Sequence, residues 1–232
     1  MVIGASSGIG RETAVLFARE GAKVVASARR EDRLNQLRDE LRGQGHTIEV
    51  HAADASKVDD MARLAEFTCS TFGPPDVVVY VTGTNTPDRA LTRLTPQIWD
   101  ELVNVNLNGA YYITHAVLPE MRARKSGHFI YISSVSGMVP DISGAAYQAS
   151  KRGMIGLAHA IRVEERENNI RTCALCPGLV ETEILEKRPV KPSPEQLAKA
   201  LQPEDIAETV LFIAKLHPRA AVPEMQFMPA TL

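Results

Sequence analysis

Ile3-Gly4-Ala5-Ser6-Ser7-Gly8-Ile9-Gly10 is the stretch on which the reading of this chain turns. A short apolar run, Met1–Ile3, leads into it, and a helical pattern leaves it and continues to about Glu20. Glycines at the spacing G-x-x-x-G-x-G let the backbone turn tightly between a strand and a helix. Taken alone, the turn reads in two ways. It is either a compact strand–helix connection or a cradle for a pyrophosphate, where bare backbone and the free N–H groups of a helix N-terminus meet negative charge.

The next strand ends Val25-Ala26-Ser27-Ala28-Arg29-Arg30. An acid at this point would hold a ribose 2′-hydroxyl, whereas arginine suits a 2′-phosphate. The acid is missing and two arginines follow. Cations at a helix start oppose its dipole, which favours a bound phosphate over an idle charge pair. The expectation is therefore NADP as cofactor, with Arg29 and Arg30 at its phosphate.

Beyond the turn, short β-branched runs alternate with longer helical ones. Strands are predicted at Met1–Ile3, Val24–Ala28, Ile48–Ala53, Val77–Val81, Phe129–Ser133, Thr172–Leu175 and Glu224–Met228. Between them, Leu34, Leu37 and Leu41 share a helical face, as do Val58, Met61, Ala62 and Ala65. Thr95-Pro96 caps a long helix with proline at its first position. This alternation predicts an α/β fold of the Rossmann type. A doubly wound parallel sheet of about seven strands carries helices on both faces, in a single domain over 1–232. The first strand has only three residues before the turn, against a usual ~5–6, so further residues are expected upstream of Met1.

Composition bounds the function. Lys and Arg total 26 against 28 Asp and Glu, so no basic excess points to nucleic acid or an anionic membrane surface. No apolar run approaches the ~20 residues that span a bilayer. Met1 leads straight into Val-Ile-Gly-Ala with no signal peptide, and a cytoplasmic protein is expected. Cys173 and Cys176 form a C-x-x-C, the spacing of a zinc or redox pair. They lie in the apolar run Ile170-Arg171-Thr172-Cys173-Ala174-Leu175-Cys176-Pro177 without a second ligand pair, so a buried strand is the better reading. No metal is expected.

One excursion breaks the rhythm. Prolines 189, 192 and 194 crowd the chain between Pro177 and Pro203, and Ser193-Pro194-Glu195-Gln196 is a capping box. The segment is either a surface loop or a substrate lid, placed at about 182–202.

Tyr147 and Lys151 stand at i and i+4 on a predicted helix, hence on one face, and Ser133-Ser134 ends a strand thirteen residues earlier. Together with the glycine turn, these residues closely resemble the short-chain dehydrogenase/reductase family over essentially the whole chain. The resemblance implies a catalytic tetrad of Asn106, Ser134, Tyr147 and Lys151. It places the cofactor against Gly4, Ser6, Ser7, Gly8, Ile9 and Gly10, with Asp54 and Ala55 at the adenine. Val81 and Gly83 follow the fourth strand, and Pro177-Gly178-Leu179-Val180-Glu181-Thr182 looks like the family's P-G-x-x-x-T segment around the nicotinamide, with contacts from Pro177, Gly178, Val180 and Thr182. Arg29 matches the position that marks NADP-preferring members. Tyr147 and Lys151 touch the cofactor as well as the substrate.

The chain departs from the family in places. Ile3 stands where the family has Thr, and Tyr80-Val81-Thr82-Gly83 replaces an Asn-Asn-Ala-Gly stretch. The C-terminus, Phe227-Met228-Pro229-Ala230-Thr231-Leu232, lacks an Asp-Gly-Gly ending and looks more like members acting on small hydroxy acids and related alcohols. The resemblance implies hydride transfer between NADP and a small carbonyl compound or secondary alcohol. Lys151 is expected to lower the pKa of Tyr147, the acid–base group, and Asn106 to carry a water toward Lys151. Helices around Pro96–Met121 and Ala145–Val163 are apolar over wide arcs, and the resemblance pairs them in a homodimer or homotetramer. The alternatives are an epimerase or dehydratase of the extended branch, against which the short chain argues, and an NADP-binding regulator without catalysis, against which the intact tetrad argues.

Overall fold

A computed structural model describes residues 1–231 of the chain. Seven parallel strands form one sheet, in the order β3-β2-β1-β4-β5-β6-β7. The strands are β1 (Val2–Ile3), β2 (Val24–Ala28), β3 (Ile48–Ala52), β4 (Val77–Tyr80), β5 (Gly127–Ile132), β6 (Ile170–Pro177) and β7 (Glu224–Phe227). Every strand read from the sequence is present, within a few residues of its expected ends. The helices between them are α1 (Gly8–Arg19), α2 (Glu31–Gly43), α3 (Val58–Phe72), α4 (Pro96–Val103), α5 (Gly109–Arg124), α6 (Ala145–Glu164), α7 (Pro194–Leu197) and α8 (Pro203–Lys215).

The apolar pattern explains the layering. Along β5, Phe129 and Tyr131 face one side of the sheet and Ile130 faces the other. The first side is covered by α3, α5 and α6 through Met61, Leu64, Ile113, Val117, Met154 and Ala158. The second is covered by α1, α2 and α8 through Ala14, Val15, Leu34, Leu37, Ile206 and Val210. A strand buried on both faces reads as a continuous apolar run, as β2, β4 and β6 do. Cys173 belongs to one of these cores and Cys176 to the other, so the C-x-x-C points to opposite sides of the sheet and cannot chelate one ion. Burial pushes the two thiols up, to about 12 and about 11. No helix among the described residues is long and apolar enough to cross a membrane.

The long helix expected from Pro96 is interrupted. Asn104–Asn108 form a π-helical turn between α4 and α5. The buried hydroxyl of Tyr80, at the end of β4, donates to the Val105 carbonyl at 2.5 Å. It ties that turn to the sheet. Such turns often mark functional positions, and this one carries Asn106. The α6 helix packs on the same region, with Gly153 lying against Leu107. Much of the wide apolar arc read on these helices, including Leu102, Ile155 and Ile161, is thus buried within the chain itself.

At the centre of the sheet β1 pairs with both β2 and β4, and the chain reverses its winding there. The crevice above the carboxyl ends of β1 and β4 is where a doubly wound sheet leaves room for a ligand. Gly4 and Gly8 turn the chain into α1 with φ of +99° and +52°. Gly10 allows α1 to touch the turn, because a Cβ there would lie 2.2 Å from the Gly4 carbonyl oxygen. Backbone cannot yield to that intrusion. Gly10→Ala is expected to cost about 2–3 kcal/mol or more in urea unfolding. Gly43→Ala, at the open end of α2, should be neutral or stabilising by up to ~1 kcal/mol. Equal midpoints for the two variants would contradict the packing described.

Candidate functional site

The crevice is a cleft of ≈ 500 Å³. Its floor begins at the glycine turn, where the amides of Gly4 and Ala5 donate to the Ser27 carbonyl at 2.7 and 3.0 Å. Ser6, Ser7, Gly8 and Ile9 line it, while Gly10 lies behind them as the contact between helix and turn. On the opposite wall stand Pro177, Gly178, Val180 and Thr182, and a side chain at Gly8 would meet Thr182 Cγ2 at 3.1 Å. The exposed Arg29 and half-buried Arg30 stand at the end of β2.

Arg30 reaches over the turn. Its Nε and Nη2 donate to Ser6 Oγ at 3.1 and 3.0 Å, Nη2 donates to Ser7 Oγ at 2.6 Å, and Nη1 donates to Glu183 at 2.8 Å. Arg33 bonds the same carboxylate. The bonds from Arg33 and Arg30 hold Glu183 down at about 2. Asp54 and Ala55 line the cleft beyond β3. Burial works against the Asp54 carboxylate, but bonds from the Ser56 amide and hydroxyl, with Arg29 and Lys57 nearby, keep it below its ordinary range.

These residues suit a phosphorylated dinucleotide. Bare glycine backbone faces the cleft where a pyrophosphate needs close approach, and two guanidiniums stand where a 2′-phosphate would lie. Val81 donates its amide to the Ile3 carbonyl at 2.9 Å, so the Val81-Thr82-Gly83 floor is anchored by backbone despite the missing amide side chains. Gly83 leaves room beside Lys151, whose Nζ lies 3.2 Å from where a Cβ would be.

The catalytic candidates converge on one wall. Ser133 and Ser134 leave β5, and the Ser133 hydroxyl donates to the Lys151 carbonyl at 2.8 Å, locking strand end to helix. Tyr147 sits in the first turn of α6, with the Ser134 side chain near enough to its phenol to favour the ionised form. Lys151 Nζ lies 5.8 Å from the Tyr147 ring centre and donates to the Ile132 carbonyl at 2.8 Å. Burial pushes Lys151 down to about 8.

Two expectations about these residues change. Burial raises the Tyr147 phenol above its ordinary value, and the Ser134 side chain only partly opposes this. The lowering expected from Lys151 does not outweigh this burial, and its ammonium, over the ring at 5.8 Å from the centre, donates to the Ile132 carbonyl. Asn106, for its part, does not face the cleft. It is fully buried, accepting from the Thr84 amide at 2.7 Å and donating to the Thr84 carbonyl and Ser150 hydroxyl, each at 3.0 Å. Both amide donors are used within the fold, on Thr84 and Ser150, rather than turned into the cleft. Ser150 passes the contact on, donating to the Tyr147 carbonyl at 2.8 Å. Asn106 positions the wall rather than lining it.

Thr84, Asn85 and Arg89 escaped the sequence reading, and Asp141, Ser143, Lys187 and Arg188 were covered only as parts of longer segments. They come from irregular segments, where neither period nor motif singles them out. The Lys187-Arg188 pair inside the proline-rich excursion was the one available signal. Lys187 Nζ donates to Thr84 Oγ1 at 2.5 Å, which draws the start of that excursion onto the cleft. The capping box at Ser193 is present, with both reciprocal bonds.

The depressed pKa of Lys151 has a measurable consequence. Between about 8 and its ordinary 10.5 the unfolded chain holds a proton here that the folded chain releases, so stability rises with pH across that window. The unfolding free energy of the wild type, less that of Lys151→Met, should grow by about 1–3 kcal/mol between pH ~7 and ~10.5. A difference that stays flat with pH would show that Lys151 is not desolvated as described.

Comparison with known proteins agrees with this geometry. The family model described as short chain dehydrogenase matches residues 1–192. A 3-oxoacyl-[acyl-carrier-protein] reductase of Thermotoga maritima is 33% identical over 219 residues, covering 92% of this chain and 89% of its own. An alcohol dehydrogenase of the archaeon Thermococcus sibiricus, solved with 5-hydroxy-NADP, superposes with a TM-score of 0.89 at 28% identity, over 100% of this chain and 96% of that one. A metagenomic short-chain oxidoreductase solved with NADP gives 0.85 at 33% identity, over 100% and 96%. The chain is an oxidoreductase of the short-chain dehydrogenase/reductase family.

Proposed function

We propose that this chain transfers a hydride between NADP(H) and a small carbonyl compound or secondary alcohol, with Tyr147 as the acid–base group. The observation that carries the reading is one cleft with the glycine turn and Arg29 and Arg30 at one end, and the Tyr147–Ser134 pair at the other. The relatives named reductase and dehydrogenase, and the NADP-bound neighbours, support it.

The nicotinamide, when bound, supplies or accepts the hydride. Ser134 hydrogen-bonds the substrate oxygen and stabilises the charge that develops on it. Tyr147 delivers its proton to that oxygen during reduction and removes it during oxidation. A phenol held above its ordinary value favours the protonated, donating form. Oxidation requires the same phenol to lose its proton, which a positive charge bound beside it would favour. Lys151 holds the nicotinamide ribose, and Asn106 fixes the Thr84 and Ser150 supports. The 182–202 segment serves as a lid, an assignment supported by Lys187 on Thr84 and Glu183 on Arg30. Assembly into a homodimer or homotetramer belongs to the same reading. Trp99, Tyr111 and Val163 stay exposed on α4, α5 and α6, and light scattering at micromolar concentration tests it. Three free cysteines suit a reducing compartment such as the cytoplasm.

Tyr147→Phe keeps the ring and removes the hydroxyl. Turnover of small ketones should fall by ~10²–10⁴-fold while NADPH titration is unchanged. More than about a tenth of wild-type turnover would exclude the assigned role.

Cofactor choice is tested separately. Charge-assisted bonds of ~1.5–3 kcal/mol set an NADPH preference of roughly ten- to a hundredfold in kcat/KM. Arg29→Ala should erase much of it and spare NADH use. Arg30→Ala should do the same while also removing one of the two ties on Glu183, the one from Arg33 remaining. Equal kcat/KM for the two cofactors in the wild type would refute the assignment.

A further inference from the structure

The cleft is more basic than the chain that forms it. The protein has a formal net charge of −2, yet six cations line the cleft (Arg29, Arg30, Arg89, Lys151, Lys187 and Arg188) against Asp54, Asp141 and Glu183. Arg29 and Arg30 stand at the glycine-turn end. Arg89, Lys187 and Arg188 stand at the other, beside Tyr147, and the cofactor's phosphates give no account of them.

Their placement is specific. The backbone and Cβ of Arg89 pack against Gly144, the residue before α6, so closely that a Cβ on the glycine would lie 2.6 Å from that of Arg89. Its guanidinium is held by two carbonyls, Nε on Thr86 at 3.0 Å and Nη2 on Lys187 at 2.8 Å, and the second bond joins it to the residue preceding Arg188. Both guanidiniums act on the Tyr147 phenol electrostatically, and burial first, then the charge of Arg188, holds Arg89 below its ordinary value. Like charges gathered this way repel one another.

No acid pairs with them in contact among the described residues, although the Asp141 charge acts on Arg89 from a distance. The ion pairs nearby are Arg30–Glu183, Arg33–Glu183 and Lys191–Glu186, and none engages Arg89, Lys187 or Arg188 among the described residues. Asp141 is the acid on this side, and its carboxylate is already taken. It accepts from the Ser136 hydroxyl, from the Ser143 amide at 2.8 Å and from the Ser143 hydroxyl at 3.0 Å. Uncompensated cations in a concave wall concentrate anions there. Guanidinium forks in particular match carboxylate and phosphate oxygens.

We infer that the substrate is an anionic carbonyl compound, whose carboxylate or phosphate is held by Arg89 and Arg188 while its carbonyl oxygen meets Ser134 and Tyr147. This rests on the reductase reading and narrows its substrate class. The anion neutralises the paired guanidiniums and orients the carbonyl, so its absence is felt in kcat/KM. Lys187, tied to Thr84, adds to the field from the lid side.

The test uses matched pairs with NADPH: acetoacetate with methyl acetoacetate, levulinate with methyl levulinate, and dihydroxyacetone phosphate with dihydroxyacetone. At least one anionic member should exceed its neutral partner by tenfold or more in kcat/KM, and the pair that does so distinguishes carboxylate from phosphate. The ratio should fall toward one in Arg188→Met and in Arg89→Met. A purely structural role for either arginine would instead lower both members of a pair alike. Ratios of one or below in every pair, or ratios untouched by both variants, overturn the inference and leave the reductase reading standing. If no compound of either kind is turned over by protein that binds NADPH, the reductase reading fails and this inference fails with it.

Discussion

The rest of the structure depends on one close approach, that of α1 to the turn after β1. With no side chain at Gly10, the helix rests on the Gly4 carbonyl, and its first turn points into the crevice between β1 and β4. That contact sets where the helix N-terminus lies relative to the sheet. Arg30 reaches Ser6 and Ser7 only because the turn is this tight. The opposite wall, at Thr182, stands one van der Waals layer away from Gly8.

The catalytic wall is positioned by a different device, a chain of buried hydrogen bonds behind it. Tyr80 ties the π-helical turn to the sheet, Asn106 in that turn holds Thr84 and Ser150, and Ser150 reaches the backbone of Tyr147. Ser133 bonds the carbonyl of Lys151 from the strand side. Buried polar groups that are fully satisfied rigidify what they join. The start of α6 that carries Tyr147 is thus held from both helix and strand.

Most of the fold was legible in the sequence because its signals are local. β-branched runs marked most of the strands, and Thr95-Pro96 marked the start of α4. The glycine spacing, Arg29-Arg30, Ser134 and Tyr147-x-x-x-Lys151 led to one cleft for the same reason: each is a short pattern on a regular element. What stayed hidden depends on distant residues meeting. The break in the helix after Val103 answers to Tyr80, 25 residues away. The rise in the Tyr147 pKa answers to burial, and the seat of the Lys151 ammonium answers to a carbonyl on β5. Arg89 and Arg188 lie in segments with no period, and only the folded chain brings them beside Tyr147.

The double tie of Glu183 to Arg30 and Arg33 links the foot of the excursion to the β2–α2 connection. All three side chains are about half exposed. Ion pairs of that kind contribute only about 0–1 kcal/mol each and weaken as salt rises. The tie therefore orders the guanidiniums without fastening the segment. Ionic strength thus loosens the junction between the excursion and the β2–α2 connection, while the apolar sheet beneath it keeps its shape.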